Sequence, residues 1–165
     1  RSSSRRDPAQ WGMAAEGVLV VRQMKRAGFG KTVFMSDDGC YTEKDFIQAG
    51  GTASTGAYIT YAKEPDPAWV KRFETQYGPR QTFSPQAYDA TNILMAAVEK
   101  VARKQAEGSL LIGKKALRDA VAATQMDGIT GKVAFDAHGD RTGSVVVVYK
   151  VAEEGGKRFF KQEDF

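Results

Sequence analysis

The stretch that decides the fold is KTVFMSDDG, residues 31–39. Its first part, Lys31–Met35, is a short β-branched and aromatic run that predicts a strand buried on both faces. Its second part, residues 36–39, has the composition of a turn and ends that strand. Ligands of open α/β sheets bind beyond the carboxyl ends of the strands, so Asp37 and Asp38 are placed to hold a cationic group. The alternative is that these carboxylates cap the next helix or form an Asx turn.

Helices are predicted on both sides of this stretch. Upstream, Asp7-Pro8 begins an amphipathic helix that ends at Ala27-Gly28. Downstream, Thr42 caps a short helix through Gln48, and Gly56–Tyr61 forms a second strand. This order indicates the α/β class, with a largely parallel sheet and flanking helices. Because a first helix without a preceding strand is the middle of a β-α-β unit, we expect a fragment or a processed piece.

The rest of the chain is predicted to be helical before it ends in strands. A proline-punctuated connection over residues 63–67 is a predicted crossing point between two lobes. The predicted helices are residues 67–77, 84–105 and 114–124, and the predicted strands are 131–135, 144–151 and a hairpin-like return through 160.

Composition excludes several classes of protein. The chain has 165 residues, 42% of them hydrophobic, and a formal net charge of +4, which is typical of a folded globular domain rather than a disordered chain. No apolar run approaches the ~20 residues that cross a bilayer. The small basic excess is weak evidence for nucleic acid, and we expect no nucleic-acid partner. With one cysteine and one histidine, a Cys/His zinc site is excluded, and we expect no metal and no cofactor.

Three motifs point to chemistry only weakly. Gly30-Lys31-Thr32 resembles the end of a phosphate-binding loop, but Lys25 stands where that loop needs glycine and a helix precedes it, so a helix-ending turn is favoured. Cys40 and His138 could act as nucleophile and base, yet a third orienting group is lacking, and packing and a solvated turn explain them better. The alternating polar residues of 136–140 are better explained by a β-turn than by a metal loop. We therefore expect that this protein is not an enzyme.

Five segments resemble, in their order and spacing, the C-terminal half of branched-chain amino-acid type substrate-binding proteins of ABC importers, which have the type I periplasmic-binding-protein fold. They are RQMKRAGF (22–29), FMSDDG (34–39), FIQAGGTASTGAYITYA (46–62), SPQAYDATNILMAAVEKVA (84–102) and DGITGKVAFDAHGDRTG (127–143). Each motif alone is loose, and the resemblance rests on their arrangement across residues 8–152.

The resemblance implies parts of two lobes. Residues 8–61 and 144–165 would belong to the second lobe, 62–143 to the first, and 1–7 would be a disordered basic tail. In the family, the acid before the glycine of the turn faces the cleft and receives the ligand's α-amino group.

Individual residues of the family's site correspond to positions here. The acid that receives the α-amino group corresponds to Asp38, and Asp37 and Tyr41 are further candidate ligand-binding residues of the same turn. In the family, an aromatic or apolar residue shortly before the helix of the AYDA segment contacts the ligand side chain, and Phe83 stands nearest that position. In contrast, residues 88–90 match the start of a helix in the family, where these positions look structural rather than ligand-binding.

The resemblance also implies a function. It predicts a non-catalytic, periplasmic or extracytoplasmic component that binds an amino acid or analogue and delivers it to an ABC permease in the membrane. The alternative is a ligand-sensing domain of the same fold that is coupled to a receptor or regulator. In the family, the ligand carboxylate is held by the first half of the protein. This chain alone would then form half a site, and we expect it to need the missing N-terminal half or to self-associate.

Overall fold

The computed structural model describes residues 13–144 and 146–164. The α-helices are α1 (Ala14–Arg26), α2 (Pro67–Tyr77), α3 (Ser84–Val101) and α4 (Lys114–Ala122). The strands are β1 (Met35–Ser36), β2 (Tyr58–Ala62), β3 (Arg103–Lys104), β4 (Leu110–Leu111), β5 (Gln125–Gly128), β6 (Gly131–Phe135), β7 (Arg141–Thr142), β8 (Val146–Glu154) and β9 (Lys157–Glu163). A short helix with π-type hydrogen bonds covers Glu43–Gln48, and single 3₁₀ turns cover Asp38–Cys40 and Gly51–Ala53.

The chain divides into two compact units. Of the described residues, 13–62 and 146–164 form unit 1, and 63–144 form unit 2. The assignment of these units to two lobes of a binding protein stays a prediction. The predicted basic tail and the helix start at Asp7-Pro8 lie outside the described residues.

Unit 1 contains a four-stranded sheet in the order β1-β2-β8-β9. Strands β1 and β2 are parallel, with Met35 opposite Tyr58. The strands from the end of the chain extend the sheet antiparallel, because β8 and β9 form a hairpin whose turn needs two glycines with positive φ, Gly155 and Gly156. With its flanking helices this is the predicted α/β class.

The core of unit 1 is apolar and closely packed against α1. Phe46 is fully buried, and its ring stacks on Phe34 at a centroid distance of 5.9 Å. Gly17 faces this cluster, and a Cβ at that position would lie 2.6 Å from Cys40 Sγ. Only glycine therefore allows α1 to approach so closely. The other core residues of this cluster are Ala14, Val18, Val21, Ile47, Ala57, Ile59 and Val151.

Unit 2 is built from helices α2 to α4 and short antiparallel strands. Asp66 Oδ1 accepts hydrogen bonds from the backbone N–H groups of Ala68 and Trp69, and Pro67 opens α2, so this helix begins where the sequence predicted. Strands β5, β6 and β7 form one sheet, and β3 and β4 pair as a separate hairpin. Trp69 is buried and contacts the rings of Phe73 and Tyr88.

The strand predicted over residues 31–35 is shorter than expected and is not buried on both faces. Within the predicted stretch, strand pairing begins only at Met35, the first residue of β1. Phe34 is buried, at 8% exposed, whereas Val33 and Met35 are 65% and 56% exposed. In the described residues β1 lies at the edge of its sheet, so its side chains alternate between the core and the exterior.

The predicted end of α3 was also wrong. Helix α3 ends at Val101 rather than near Gln105, because Ala102 is extended and β3 pairs with β4. Residues 125–128, for which no element was predicted, form β5, because they pair with β6. Among the described residues, no helix is both long and apolar enough to cross a membrane.

Candidate functional site

The acidic turn begins directly after β1, and its two aspartates have different surroundings. The Asp37 carboxylate accepts a hydrogen bond from the Gly39 backbone N–H at 3.2 Å, and the Asp37 carbonyl accepts one from Cys40 N–H. Asp37 is therefore used to build the turn, as the Asx-turn interpretation predicted. The Asp38 carboxylate is exposed, and no hydrogen bond or ion pair reaches it from residues 13–144 or 146–164.

Asp38 does not cap the next helix. That role belongs to Thr42, whose Oγ1 accepts a hydrogen bond from Asp45 N–H at 3.4 Å, as predicted. Asp38 contributes its backbone carbonyl to the turn, where it accepts from Tyr41 N–H at 3.0 Å. Its contribution to the turn is therefore made by the backbone and not by the carboxylate.

Tyr41 anchors the far end of the acidic turn to the sheet. Its ring stacks on Tyr61 of β2 at 4.1 Å and on Phe160 of β9 at 4.3 Å, and it lies 4.8 Å from the Tyr149 ring of β8. Tyr61 and Tyr149 are each 3% exposed. Because strand β1 holds one end of the turn and these rings hold the other, the position of Asp38 is constrained on both sides.

Phe83 lies in unit 2, immediately before α3, in the loop position that the sequence predicted. It is 51% exposed. The structure brings Asp37, Asp38 and Tyr41 together on one turn of unit 1, whereas Phe83 belongs to the other unit.

The weak candidates for chemistry occupy structural positions. Cys40 is 1% exposed, and burial raises the pKa of its thiol, which disfavours the reactive thiolate. His138 lies in an exposed turn, where Asp136 Oδ1 accepts from the backbone N–H groups of His138 at 2.8 Å and Asp140 at 3.0 Å. Both residues therefore have the packing and turn roles that the sequence favoured. In the part of the chain that the structure describes, no group of three acidic, histidine or cysteine residues is arranged to hold a metal ion.

Asp89 is the buried carboxylate of unit 2, and it fastens α3 to the turn between β5 and β6. Its oxygens accept hydrogen bonds from Ile129 N–H at 3.0 Å, Thr130 N–H at 2.9 Å and the Thr130 hydroxyl at 2.5 Å. Arg141 extends this network by donating to the Thr130 hydroxyl and carbonyl oxygens. The structural interpretation of Asp89 is confirmed.

Gly128 makes this contact possible, since a Cβ there would lie 2.4 Å from the Asp89 carboxylate. The sequence signal for the network was an acid at position 89 on the i, i+4 face formed by Pro85, Ile93 and Ala97. It pointed to burial but not to the partner.

The fold and the position of the acidic turn define the class of protein. The chain has part of a type I periplasmic-binding-protein fold, with an exposed acid beyond the carboxyl end of β1. A family model described as periplasmic binding protein matches residues 9–157, and the chain belongs to that family. A search of curated protein sequences finds no match.

Solved structures of the same fold are similar over nearly the whole chain. A leucine-binding protein, LivK, from Thermotoga maritima is 25% identical over 91% of this chain, with a TM-score of 0.71. A putative branched-chain amino acid ABC transporter protein from Rhodospirillum rubrum is 28% identical over 90%, with a TM-score of 0.61. LivJ from Streptococcus pneumoniae, in complex with isoleucine, is 21% identical over 92%, with a TM-score of 0.62, and this likeness concerns the fold alone. The chain spans 42–43% of the length of these three proteins.

Proposed function

We propose that this chain is the C-terminal part of the substrate-binding component of an ABC importer for amino acids or related small molecules. It acts outside the cytoplasm, binds its ligand without catalysis and presents it to a membrane permease. Membership of the periplasmic binding protein family supports the solute-binding role. The similarity to a leucine-binding protein and to a branched-chain amino acid transporter protein supports the class of ligand.

The observation that carries the proposal is the difference between the two aspartates of the acidic turn. Asp37 is occupied by the Gly39 N–H, whereas the Asp38 carboxylate is exposed and without a partner among the described residues. An ammonium group satisfies such a carboxylate with a charge-assisted hydrogen bond. Asp38 therefore receives the α-ammonium of the ligand, while Asp37 and Tyr41 hold the turn in place.

Phe83 stays a prediction as a contact to the apolar part of the ligand. Its position in a loop and its half-exposed ring agree with such a contact. The donors that would hold the ligand carboxylate correspond to the part of the family's fold that this chain does not span, so we expect the chain alone to bind an amino acid weakly.

The test compares two ligands in calorimetric titrations that extend to millimolar concentrations. Leucine carries the α-ammonium, and 4-methylpentanoate is the same molecule without it. A hydrogen-bonded ion pair at an exposed carboxylate contributes about 0.2–1 kcal/mol, so the chain should prefer leucine by up to about fivefold, and Asp38→Asn should abolish this preference.

Asp37→Asn is the matched control. It removes the same charge from the neighbouring residue, while its amide oxygen can still accept the Gly39 N–H. The preference for leucine should survive in this variant. An equal loss in both variants would mean that only the general negative charge of the turn matters, and an unchanged preference in Asp38→Asn would refute the role of Asp38.

A further inference from the structure

Unit 1 contains a concavity of about 350 Å³, which we call the amino-end groove. It is lined by the last part of α1 (Val21, Met24 and Lys25), by Phe29–Phe34, by residues 52, 53 and 55–58, and by Lys150. Phe34 precedes β1, and Tyr58 is the first residue of β2. The groove therefore lies at the amino ends of the parallel strands, whereas Asp38 follows the carboxyl end of β1.

The polar side chains of the amino-end groove are basic or neutral. Lys25, Lys31 and Lys150 line it, and none of its lining residues is acidic. The Lys25 ammonium donates to Thr52 Oγ1 at 2.7 Å, and the Lys150 ammonium lies 5.3 Å from the centroid of the Tyr58 ring. These contacts orient two of the ammonium groups without neutralising them.

The nearest acid in this hydrogen-bond network is already paired. Glu153 accepts a hydrogen bond from Thr55, a lining residue, and forms an ion pair with Arg158 at 3.0 Å. The net charge around the groove is therefore positive, and positive charge favours an anion while it disfavours a free ammonium group.

The groove also presents apolar surface. Phe29 and Val33 are 59% and 65% exposed, and they lie beside the partly buried Met24. Concave sites of a few hundred Å³ that combine apolar walls with a few polar groups are typical of small-molecule binding. This apolar surface and the lysines together suit a molecule with one apolar and one anionic end.

We propose that the amino-end groove binds a small amphipathic anion, a carboxylate or phosphate attached to an apolar group, at a site separate from the Asp38 turn. The apolar group covers Phe29 and Val33, and the anionic group contacts Lys31 and Lys150. The two sites then have opposite charge preference: a cationic group at Asp38 and an anionic group here.

The test uses four probes and follows backbone amides by NMR. The probes are 3-phenylpropionate, phenyl phosphate, the neutral 3-phenylpropan-1-ol and inorganic phosphate. We expect the two amphipathic anions to shift the amides of residues 29–34 and 52–58 at millimolar concentration, with affinities at least about fivefold above those of the alcohol and of inorganic phosphate. The stronger of the two anions identifies the preferred anionic group.

Charge-neutral variants locate the site. Lys31→Gln and Lys150→Gln change exposed or half-exposed side chains and should each weaken binding of the better anion about threefold or more. Lys44→Gln, on the short helix Glu43–Gln48, removes the same charge outside the groove and should leave binding unchanged. Asp38→Asn should also leave it unchanged, which keeps this proposal separable from the function proposed above.

Three results would overturn the proposal. The alcohol could bind as well as the carboxylate, which would reduce the groove to an apolar surface. Lys44→Gln could weaken binding as much as Lys31→Gln, which would indicate attraction by net charge only. Finally, all four probes could fail to shift the groove amides at millimolar concentration.

Discussion

Each of the two units of this chain is stabilised by a different kind of core. In unit 1, helix α1 packs on a sheet through a continuous apolar cluster that includes Phe34, Phe46 and Ile59. In unit 2, the buried hydrophobic residues that the structure describes are Trp69, Ile93, Ala97 and Val133, and a buried carboxylate lies among them. The two units do not differ in exposed apolar surface, since each has several large apolar side chains that are about half exposed or more, such as Val33 and Met35 in unit 1 and Leu94 and Met95 in unit 2.

The two units also show two ways to hold a turn in place. The acidic turn of unit 1 is anchored by stacked aromatic rings around Tyr41. The turn between β5 and β6 of unit 2 is anchored by hydrogen bonds to Asp89. Aromatic burial is non-directional and tolerates small shifts, whereas hydrogen bonds to a buried carboxylate fix the geometry but leave costly unsatisfied groups when they are broken.

The largest effect is expected in the apolar core of unit 1. Phe46→Ala removes a fully buried ring that stacks on Phe34 and faces Gly17, and it should lower the free energy of unfolding by about 3–5 kcal/mol. Urea denaturation measures this change. Phe29→Ala is the control, because the same truncation at a 59% exposed ring should cost far less. Equal losses in both variants would show that unit 1 is not stabilised by this core.

The next effect is expected at the hydrogen-bond network of unit 2. Asp89→Ala leaves the N–H groups of Ile129 and Thr130 without their acceptor and should cost about 1–3 kcal/mol. Hydrogen exchange should accelerate at these two amides first. The comparison between the units would fail if the amides of β2 in unit 1 lost protection to the same degree.

A second variant tests the same network without removing a hydrogen-bonding group. Gly128→Ala introduces a Cβ that would lie 2.4 Å from the Asp89 carboxylate, so the carboxylate must move away from the turn. Stability should fall in this variant too. The matched control is Gly113→Ala, where the new Cβ would lie 3.8 Å from the Ala116 Cβ and the added methyl group fits. If Gly128→Ala were as stable as Gly113→Ala, the close approach of the glycine would be irrelevant to the network.

Local signals in the sequence predicted much of the fold. The start of α2 follows from Asp66-Pro67, and the short helix after the acidic turn follows from Thr42, because a cap acts on backbone groups two or three residues away. The end of α3 was missed for the opposite reason. Nothing near Ala102 stops a helix, and the helix ends because Arg103 and Lys104 pair with Leu110 and Leu111 further along the chain.

The candidate site was predictable to a similar extent. The sequence placed the acidic turn after a strand, and it left open whether Asp37 or Asp38 was used as a cap. The structure resolves this for Asp37, since its side chain accepts from Gly39. The aromatic cluster could not be predicted, because Tyr41 meets Tyr149 and Phe160 from strands more than a hundred residues later. The partner of Asp89 lies 41 positions away and was missed for the same reason.

The smallest effect is a pH dependence in the core of unit 1. Burial raises the pKa of the Cys40 thiol above its ordinary value of 9.0, so the folded chain keeps this proton at a pH where the unfolded chain loses it. The stability that comes from the neutral buried thiol is thus fully present below pH 9.0 and is lost as the pH rises through the folded-state pKa. Cys40→Ala removes the titrating group, while the lysines and tyrosines that also ionise in this range remain in both proteins. The difference in unfolding free energy between the two proteins should therefore shift in favour of Cys40→Ala between about pH 8 and about pH 10. A difference that stays constant over this range would mean that the thiol ionises equally well in the folded chain, and that water reaches the position where Gly17, Cys40 and Phe46 meet.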